Sequence, residues 1–178
     1  MKRQVHSREI KKVVMQRLAD RGASLEDIAE IVYAMQAPYH PGLSMDTCMK
    51  SIQAVLGKRE LQHAILVGTE LDMLAEQKKL TEPLQTILDT DESLFGCDET
   101  LAIGSVFGYG SIAITTFGYL DKEKTGLIKR LDTKTGDAVH TFLDDLVAAI
   151  ASAASGRIAH KSRDEIEREV ADEDNEYA

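Results

Sequence analysis

Apolar side chains in the first half of the chain recur every three or four residues, a spacing typical of one face of an α-helix. Four segments follow this pattern and end near Arg21, Met35, Leu56 and Leu80, and a short fifth segment, opened by Thr81 and Pro83, ends near Leu88. Ser24 and Ser44 stand where helix N-caps are expected. Residues 58–80 are apolar around most of the circumference, which predicts a central helix with the others packed around it.

The second half of the chain is less regular. Residues 94–119 are apolar and rich in glycine, and they predict a helix from about Asp98 through Phe117. The β-branched residues of GYGSIAITTFGY would also suit a strand, but no partner strand is evident elsewhere. A charged loop with at most one helical turn follows. A last long helix is predicted from Asp137 to about His160, followed by a frayed or disordered acidic segment.

These patterns predict an all-α fold. We expect a single-domain bundle of about six to seven helices around a central apolar helix, formed by residues 1–160 and followed by an acidic tail at 161–178. The length of 178 residues suits one domain with a sizeable core. Small residues between Ala148 and Ser155 would let a neighbouring helix approach closely, and such faces would serve a homo-oligomer as readily as a core.

Charge and composition narrow the classes of partner and the cellular location. The net charge of −9 argues against nucleic acid or an anionic membrane as a purely electrostatic partner. The two cysteines, Cys48 and Cys97, are expected to be buried free thiols in a reducing cytosol. The N-terminus lacks the apolar core of a signal peptide, and no stretch approaches the roughly 18 uninterrupted apolar residues of a membrane span. A cytoplasmic location is therefore predicted.

Two acidic doublets, Asp98-Glu99 and Asp144-Asp145, lie in apolar surroundings. Taken alone, the first favours a helix start, where the macrodipole stabilises acids. The second lies about two turns into its predicted helix, and because adjacent helical residues diverge by about 100°, one of its acids should face the apolar side. That acid needs a partner, which would be His140, a cation from the charged loop, or a metal ion. Mg²⁺ fits best because hard cations prefer carboxylate oxygens.

In this region the sequence resembles the phosphatidylglycerophosphatase A family, and more closely its soluble, all-helical YutG-like branch. The residues that carry the resemblance form three acidic motifs in order. An acid seven residues before an Asp-Glu pair matches Asp91 with Asp98-Glu99, Asp-x-x-Lys matches Asp121 and Lys124, and the third region matches Asp132, Asp144-Asp145 and Ala148-Ala149.

The resemblance implies a Mg²⁺-dependent phosphatase that hydrolyses phosphatidylglycerophosphate to phosphatidylglycerol and phosphate. In that scheme the metal is held by Asp98, Glu99, Asp144 and Asp145. Asp121 would be a metal ligand or a general acid/base, Lys124 would offset charge on the phosphate, and Asp144 would act with them. Asp91 and Asp132 would extend the cluster.

Departures from the family pattern keep other functions open. Gly118 stands where the family has an arginine, Thr125 replaces a proline, and the membrane spans of the typical enzymes are missing. A soluble phosphate ester is therefore an alternative substrate, and contact with a membrane would be transient. Two non-enzymatic alternatives also stand: a helical module with a structural or regulatory cation site, and an interaction protein whose acids face solvent.

Overall fold

The computed structural model describes residues 4–90, 92, 94–133 and 138–176. The described residues form helices and no strand, so the prediction of an all-α domain is confirmed. The helices are α1 (Ser7–Asp20), α2 (Leu25–Gln36), α3 (Met45–Val55), α4 (Arg59–Glu76), α5 (Leu84–Thr90), α6 (Cys97–Val106), α7 (Gly110–Glu123), α8 (Gly126–Asp132) and α9 (Leu143–Glu176). The predicted caps of α2 and α3 form: the hydroxyl oxygens of Ser24 and Ser44 each accept an N–H from three residues ahead.

The central helix is the first half of α9. Residues 142–156 are all buried, and α9 packs against α2, α3, α4, α6, α7 and α8. Its small residues permit close crossings: a Cβ on Gly156 would lie 3.1 Å from the Cβ of Ala113. A central apolar helix was expected, but the pattern favoured residues 58–80. Helix α4 instead leaves His63, Val67 and Glu70 exposed. Close packing of helices depends on the size of their side chains as much as on their apolar character, and the small residues of α9 let more neighbouring helices pack closely against it.

Two differences in helix boundaries raise the count from the expected six to seven to nine α-helices in the described part of the chain. The predicted helix at 98–117 is broken into α6 and α7 by a 3-10 turn at Phe107–Tyr109. Gly110 follows with φ 78°, a backbone conformation that side chains with a Cβ rarely adopt. The charged loop forms α8, with more than the single turn expected.

The last helix begins later than predicted. Asp137 lies outside the described residues, residues 138–140 are not helical, and α9 starts at Leu143. Asp144 and Asp145 therefore stand in its first turn, where two turns in had been expected. Helix α9 also continues past His160 to Glu176, so a large part of the expected tail extends this helix.

One segment of the described chain is long and apolar enough to cross a membrane by length and composition. It spans Cys97–Glu123, with a mean hydropathy of 1.4 in its most apolar window. The sequence prediction counted Asp98, Glu99 and Asp121 as interruptions, yet they lie near the ends of this segment and leave residues 100–120 without charge. Core helices of soluble proteins meet the same criteria, so a single such segment is weak support for a membrane span.

Candidate metal centre

A cleft of about 510 Å³ opens where the first turns of α6 and α9 face the loop between α7 and α8. Seven of its described lining residues are acidic: Glu76, Asp89, Asp98, Glu99, Asp132, Asp144 and Asp145. Lys78 and Lys124 are the lysines on the same described wall. The partial positive charge at the starts of α6 and α9 favours carboxylates there, but it does not neutralise a cluster of this size.

Three of these carboxylates converge. Asp98 and Glu99 come from the first turn of α6 and Asp145 from the first turn of α9, and one oxygen from each lies within 4.8 Å of the other two. Among the described residues, the buried atoms Asp98 Oδ1, Glu99 Oε2 and Asp145 Oδ1 have no hydrogen-bond partner. Buried carboxylate oxygens without donors are costly unless a proton or a cation compensates them. The donor set suits a hard divalent cation such as Mg²⁺.

The pKa values of these acids rise because the carboxylates are crowded and desolvated. Burial, followed by the negative charge of Asp144, raises the pKa of Asp145 to about 8. Hydrogen bonding with Asp98, followed by burial, raises the pKa of Glu99. Both shifts disfavour the anionic form. Around neutral pH these acids therefore hold a proton more readily than free acids do, or they bind a cation.

Lys124 supplies positive charge to the side of the acidic cluster that contains Asp144 and Asp121. Its Nζ donates to Asp144 Oδ2 at 2.8 Å and lies 3.0 Å from Asp121 Oδ1, 3.5 Å from Asp145 Oδ1 and 3.9 Å from Asp132 Oδ1. Burial disfavours the ammonium, but hydrogen bonds to Asp144 and Asp121 outweigh it and raise the pKa of Lys124. The residue ends α7 in the left-handed conformation, with φ 46°, which turns the chain into α8. The ammonium of Lys124 therefore interacts with the carboxylates of four aspartates.

The four predicted metal ligands consequently separate into two groups. Asp98, Glu99 and Asp145 converge, whereas Asp144 turns to Lys124. Asp144 and Asp145 are 5% and 3% exposed, so both acids are buried where only one was expected, because α9 is enclosed on all sides. Burial raises the pKa of Asp144 even though Lys124 partly offsets it.

The remaining predicted site residues are placed as follows. Asp121 lies on α7 against Lys124, and Asp132 ends α8 at the outer edge of the cleft with its side chain 51% exposed. Asp91 lies outside the described residues. His140, one of the proposed partners of the second doublet, places its Nδ1 3.1 Å from the backbone oxygen of Leu131. The second doublet instead pairs with the other expected partner, a cation from the charged loop, because Lys124 donates to Asp144.

Sequence reasoning missed a group of polar residues behind the site. The fully buried carboxylate of Asp72 on α4 accepts the backbone N–H groups of Phe142 and Leu143, both at 3.1 Å. Burial raises the pKa of Asp72 to about 7 despite these hydrogen bonds. One turn along α4, Glu76 accepts the N–H of Val139 at 2.9 Å. The pattern held a clue, because Asp72 falls on the buried stripe that runs through Leu61, Ile65 and Gly68 at helical spacing.

Comparison with known proteins identifies relatives of this chain. A family model described as phosphatidylglycerophosphatase A matches residues 16–160. The uncharacterized protein YutG of Bacillus subtilis is 56% identical over 147 residues, which cover 83% of this chain and 89% of YutG. The crystal structure of protein ypjQ from Bacillus subtilis has a TM-score of 0.84 at 51% identity and covers 90% of this chain and 99% of its own.

A further solved structure supports the same relationship. The low temperature requirement C protein from Listeria monocytogenes superposes with a TM-score of 0.83 at 47% identity, covering 86% of this chain and 97% of its own. The family match spans more than half of the sequence and includes both acidic doublets. The resemblance found in the acidic motifs is therefore confirmed, and the chain belongs to the phosphatidylglycerophosphatase A family.

Proposed function

We propose that this protein is a Mg²⁺-dependent phosphatase of phosphate monoesters, and that phosphatidylglycerophosphate is the first substrate to test. The observation that carries the proposal is the convergence of Asp98, Glu99 and Asp145, whose oxygens lie within 4.8 Å of one another. These oxygens include buried atoms to which no described residue donates. Family membership supports a phosphatase-like activity. Phospholipid metabolism would be the setting of the reaction.

In this proposal Asp98, Glu99 and Asp145 hold the metal ion from two helices. A bound Mg²⁺ would polarise the phosphoryl oxygens and lower the pKa of a bound water. Three carboxylates leave coordination positions for water and a phosphate oxygen, which is the usual arrangement for this ion. The acids approach from two helix starts, so their positions depend on helix packing and not on a loop.

Lys124 supplies positive charge beside the metal ligands. Its side chain is partly exposed and lines the cleft, so the ammonium can face a phosphate while Asp144 and Asp121 orient it. Asp144 in this scheme positions Lys124, and Asp121 is placed to exchange a proton with water or a leaving group. Asp132 lies at the edge of the same cluster and adds one negative charge 3.9 Å from the ammonium of Lys124.

The charge of the cleft also explains why substrate binding would require a metal. A phosphate monoester carries about −1.5 to −2 at pH 7, and seven acids on the described wall would repel it. The two lysines there cannot offset that charge, because Lys124 is shared among aspartates and Lys78 pairs with Asp89 at 2.7 Å. A divalent cation reverses the local field and lets the anion approach.

The test is phosphate release by the purified protein. Phosphatidylglycerophosphate in detergent micelles and glycerol 3-phosphate are compared, each in Mg²⁺ and in excess EDTA. We expect turnover only with Mg²⁺. Because the metal contributes several kcal/mol of transition-state stabilisation, Asp145→Asn and Glu99→Gln should lower kcat/KM by about 100-fold or more. Asp46→Asn removes an exposed acid that pairs with Lys50 in α3 and serves as the control. Full activity in EDTA or in either site variant rejects the proposal.

A second candidate is a non-enzymatic helical module with a structural cation site. The observation that favours it is the absence of an uncommitted cation on the described wall of the cleft, together with Gly118 in the place of the family arginine. Thermal melts separate the two functions. Stabilisation by Mg²⁺ without turnover of either phosphate ester would support this module and exclude the phosphatase.

A further inference from the structure

The first turn of α9 is held from outside its own sequence. The starts of α2 and α3 are capped by serines that directly precede them. At the start of α9, the N–H groups of Phe142 and Leu143 instead donate to the two carboxylate oxygens of Asp72, 70 and 71 residues earlier in the chain. Initial N–H groups of a helix have no partner within the helix. Asp72 therefore supplies a long-range cap immediately before Asp144 and Asp145.

Capping a helix with a buried carboxylate carries a high desolvation cost. Asp72 is 0% exposed, and desolvation of a charged group costs more than that of a serine hydroxyl. Both of its oxygens accept N–H groups of α9, so its position fixes the rotation and the height of the first turn relative to α4. The side chain of Asp145 projects from that turn toward Asp98 and Glu99 on α6.

A second contact holds the chain just before α9. Glu76, one turn after Asp72 on α4, accepts the N–H of Val139. Its carboxylate pairs with Arg21 at 2.8 Å, and Arg21 also donates to the backbone oxygen of Val139 at 2.5 Å. Residues 139–143 are thus attached through their backbone to three polar side chains: Asp72 and Glu76 on α4, and Arg21, which directly follows α1. Glu76 and Val139 also line the cleft, but none of these three side chains belongs to the converging carboxylates.

We propose that Asp72, assisted by Glu76, is a positioning residue for the metal ligands. It acts through the backbone of α9, which keeps the carboxylate of Asp145 within coordinating distance of Asp98 and Glu99. This inference rests on the proposed metal site. Outer residues that orient metal ligands typically change metal affinity by about 10- to 100-fold when they are replaced, and Asp72 should fall in that range.

The experiment compares Asp72→Asn with Thr69→Val. The asparagine keeps the shape but presents an NH₂ group to one of the two N–H donors, so one hydrogen bond is lost. The other is weakened, because a neutral amide oxygen is a weaker acceptor than a carboxylate. Thr69 is equally buried on α4, and its hydroxyl donates only within the helix, to the backbone oxygen of Ile65. Mg²⁺ affinity is measured by calorimetry at a temperature where both variants are folded, and hydrogen exchange is measured at the amides of Phe142 and Leu143.

We expect Asp72→Asn to weaken Mg²⁺ binding by about 10- to 100-fold and to accelerate exchange at both amides. Thr69→Val should lower the melting temperature while its Mg²⁺ affinity stays within about twofold of the wild type, since it touches no N–H of α9. Unchanged exchange, or unchanged Mg²⁺ affinity in a folded Asp72→Asn protein, overturns the positioning role. If Asp72→Asn does not fold, Glu76→Gln provides the decision, with exchange read at Val139. Because Glu76 also lines the cleft, its Mg²⁺ affinity is compared with that of Asp89→Asn, which removes one acid from the same wall. Equal affinities of the two variants overturn the positioning role.

Failure of the metal site itself gives a different result. If the wild-type protein binds no Mg²⁺, the proposed function is rejected, whereas accelerated exchange at Phe142 and Leu143 in Asp72→Asn still supports Asp72 as the anchor of α9. Unchanged exchange in that case rejects the anchor as well. The two hypotheses are therefore decided by separate measurements.

Discussion

The two acidic doublets occupy the same kind of position but have different surroundings. Both stand in the first turn of a helix, where the helix dipole stabilises acids. Asp144 and Asp145 are buried and share the ammonium of Lys124. Asp98 and Glu99 are half-buried, and within the described chain no ion pair joins either of them to a cation. Within the residues that the structure describes, the second doublet therefore has an internal counterion and the first has none.

This difference shows where the uncompensated charge lies. Lys124 brings one positive charge to a group that includes Asp121, Asp132, Asp144 and Asp145. Asp145 lies farther from the Lys124 ammonium than Asp144 does. It is also the acid of the doublet that converges with Asp98 and Glu99. The excess negative charge is thus concentrated between α6 and α9, where a divalent cation would relieve the most repulsion.

Removal of the internal counterion should have the largest effect. Lys124→Met leaves the buried carboxylates of Asp144 and Asp145 without their cation, and breaking a buried ion pair costs about 3–5 kcal/mol. We expect a loss of about 3 kcal/mol in the free energy of unfolding in EDTA, because Lys124 is partly exposed. Urea unfolding in EDTA and in Mg²⁺ measures this loss and the larger stabilisation that Mg²⁺ should then produce.

Lys78→Met is the matched control for that experiment. Lys78 lines the same cleft and pairs with Asp89, but its side chain is 65% exposed. An exposed ion pair contributes at most about 1 kcal/mol, so the control should change stability only slightly. Equal losses in the two variants would contradict the role of Lys124 as the counterion of the buried doublet.

Replacement of the two acids of the second doublet should change the stability of the metal-free protein in opposite directions. Asp144→Asn weakens the 2.8 Å charged hydrogen bond from Lys124 and should destabilise the metal-free protein by about 1.5–3 kcal/mol. Asp145→Asn removes a buried charge whose Oδ1 has no hydrogen-bond donor in the described part of the chain, and it should stabilise the metal-free protein at pH 8. Chemical unfolding in EDTA measures both changes. Destabilisation of the same size by both replacements would refute the division of the doublet into an acid that is hydrogen-bonded to Lys124 and an acid that is only weakly compensated by it.

The stability of the metal-free protein should fall as pH rises from about 4 to 8. Burial raises the pKa of Asp145 to about 8 and that of Asp72 to about 7, whereas both are near 3.8 in the unfolded chain. Between these values the folded state binds more protons than the unfolded state, so unfolding becomes easier with rising pH. The lowered pKa values of Glu76 and Asp27 act only at lower pH.

Melting curves in EDTA at pH 5, 6, 7 and 8 test this trend. Each kcal/mol corresponds to about 2–4 °C for a chain of this size. Asp145→Asn should flatten the slope between pH 6 and 8, and Mg²⁺ should raise the melting temperature more at pH 8 than at pH 5. A melting temperature of the wild-type protein that rises over the same interval would disprove the assignment.

The smallest effect is expected at Gly118. A Cβ there meets nothing within 4 Å, so Gly118→Ala should stabilise α7 by up to about 1 kcal/mol through helix propensity. Gly118→Arg adds, one turn before Asp121, the cation that the family carries, and it should lower KM for a phosphate ester a few-fold. Gly156→Ala is the contrasting control, since its Cβ would lie 3.1 Å from Ala113 and should destabilise. An unchanged KM in Gly118→Arg would place the arginine position outside the reach of the substrate.

The sequence by itself determined the helical class, many of the helix positions and the chemistry of the site. Apolar spacing, serine caps, glycines and prolines act over a few residues, so their consequences can be derived without knowledge of the fold. The acidic motifs also identified the family and five of the seven acids on the described wall of the cleft, but not Glu76 or Asp89. Asp98 and Glu99 were expected at a helix start and are found there.

Only the tertiary structure decided which acids meet and what supports them. Helix packing made α9 the central helix, turned Asp144 to Lys124 and left Asp145 with Asp98 and Glu99. It also brought Asp72 to the start of α9 across 70 residues of sequence. Such contacts depend on the crossing and rotation of whole helices, which are set by the packing of many side chains together. Local spacing predicts that an acid needs a partner, whereas the fold selects the partner.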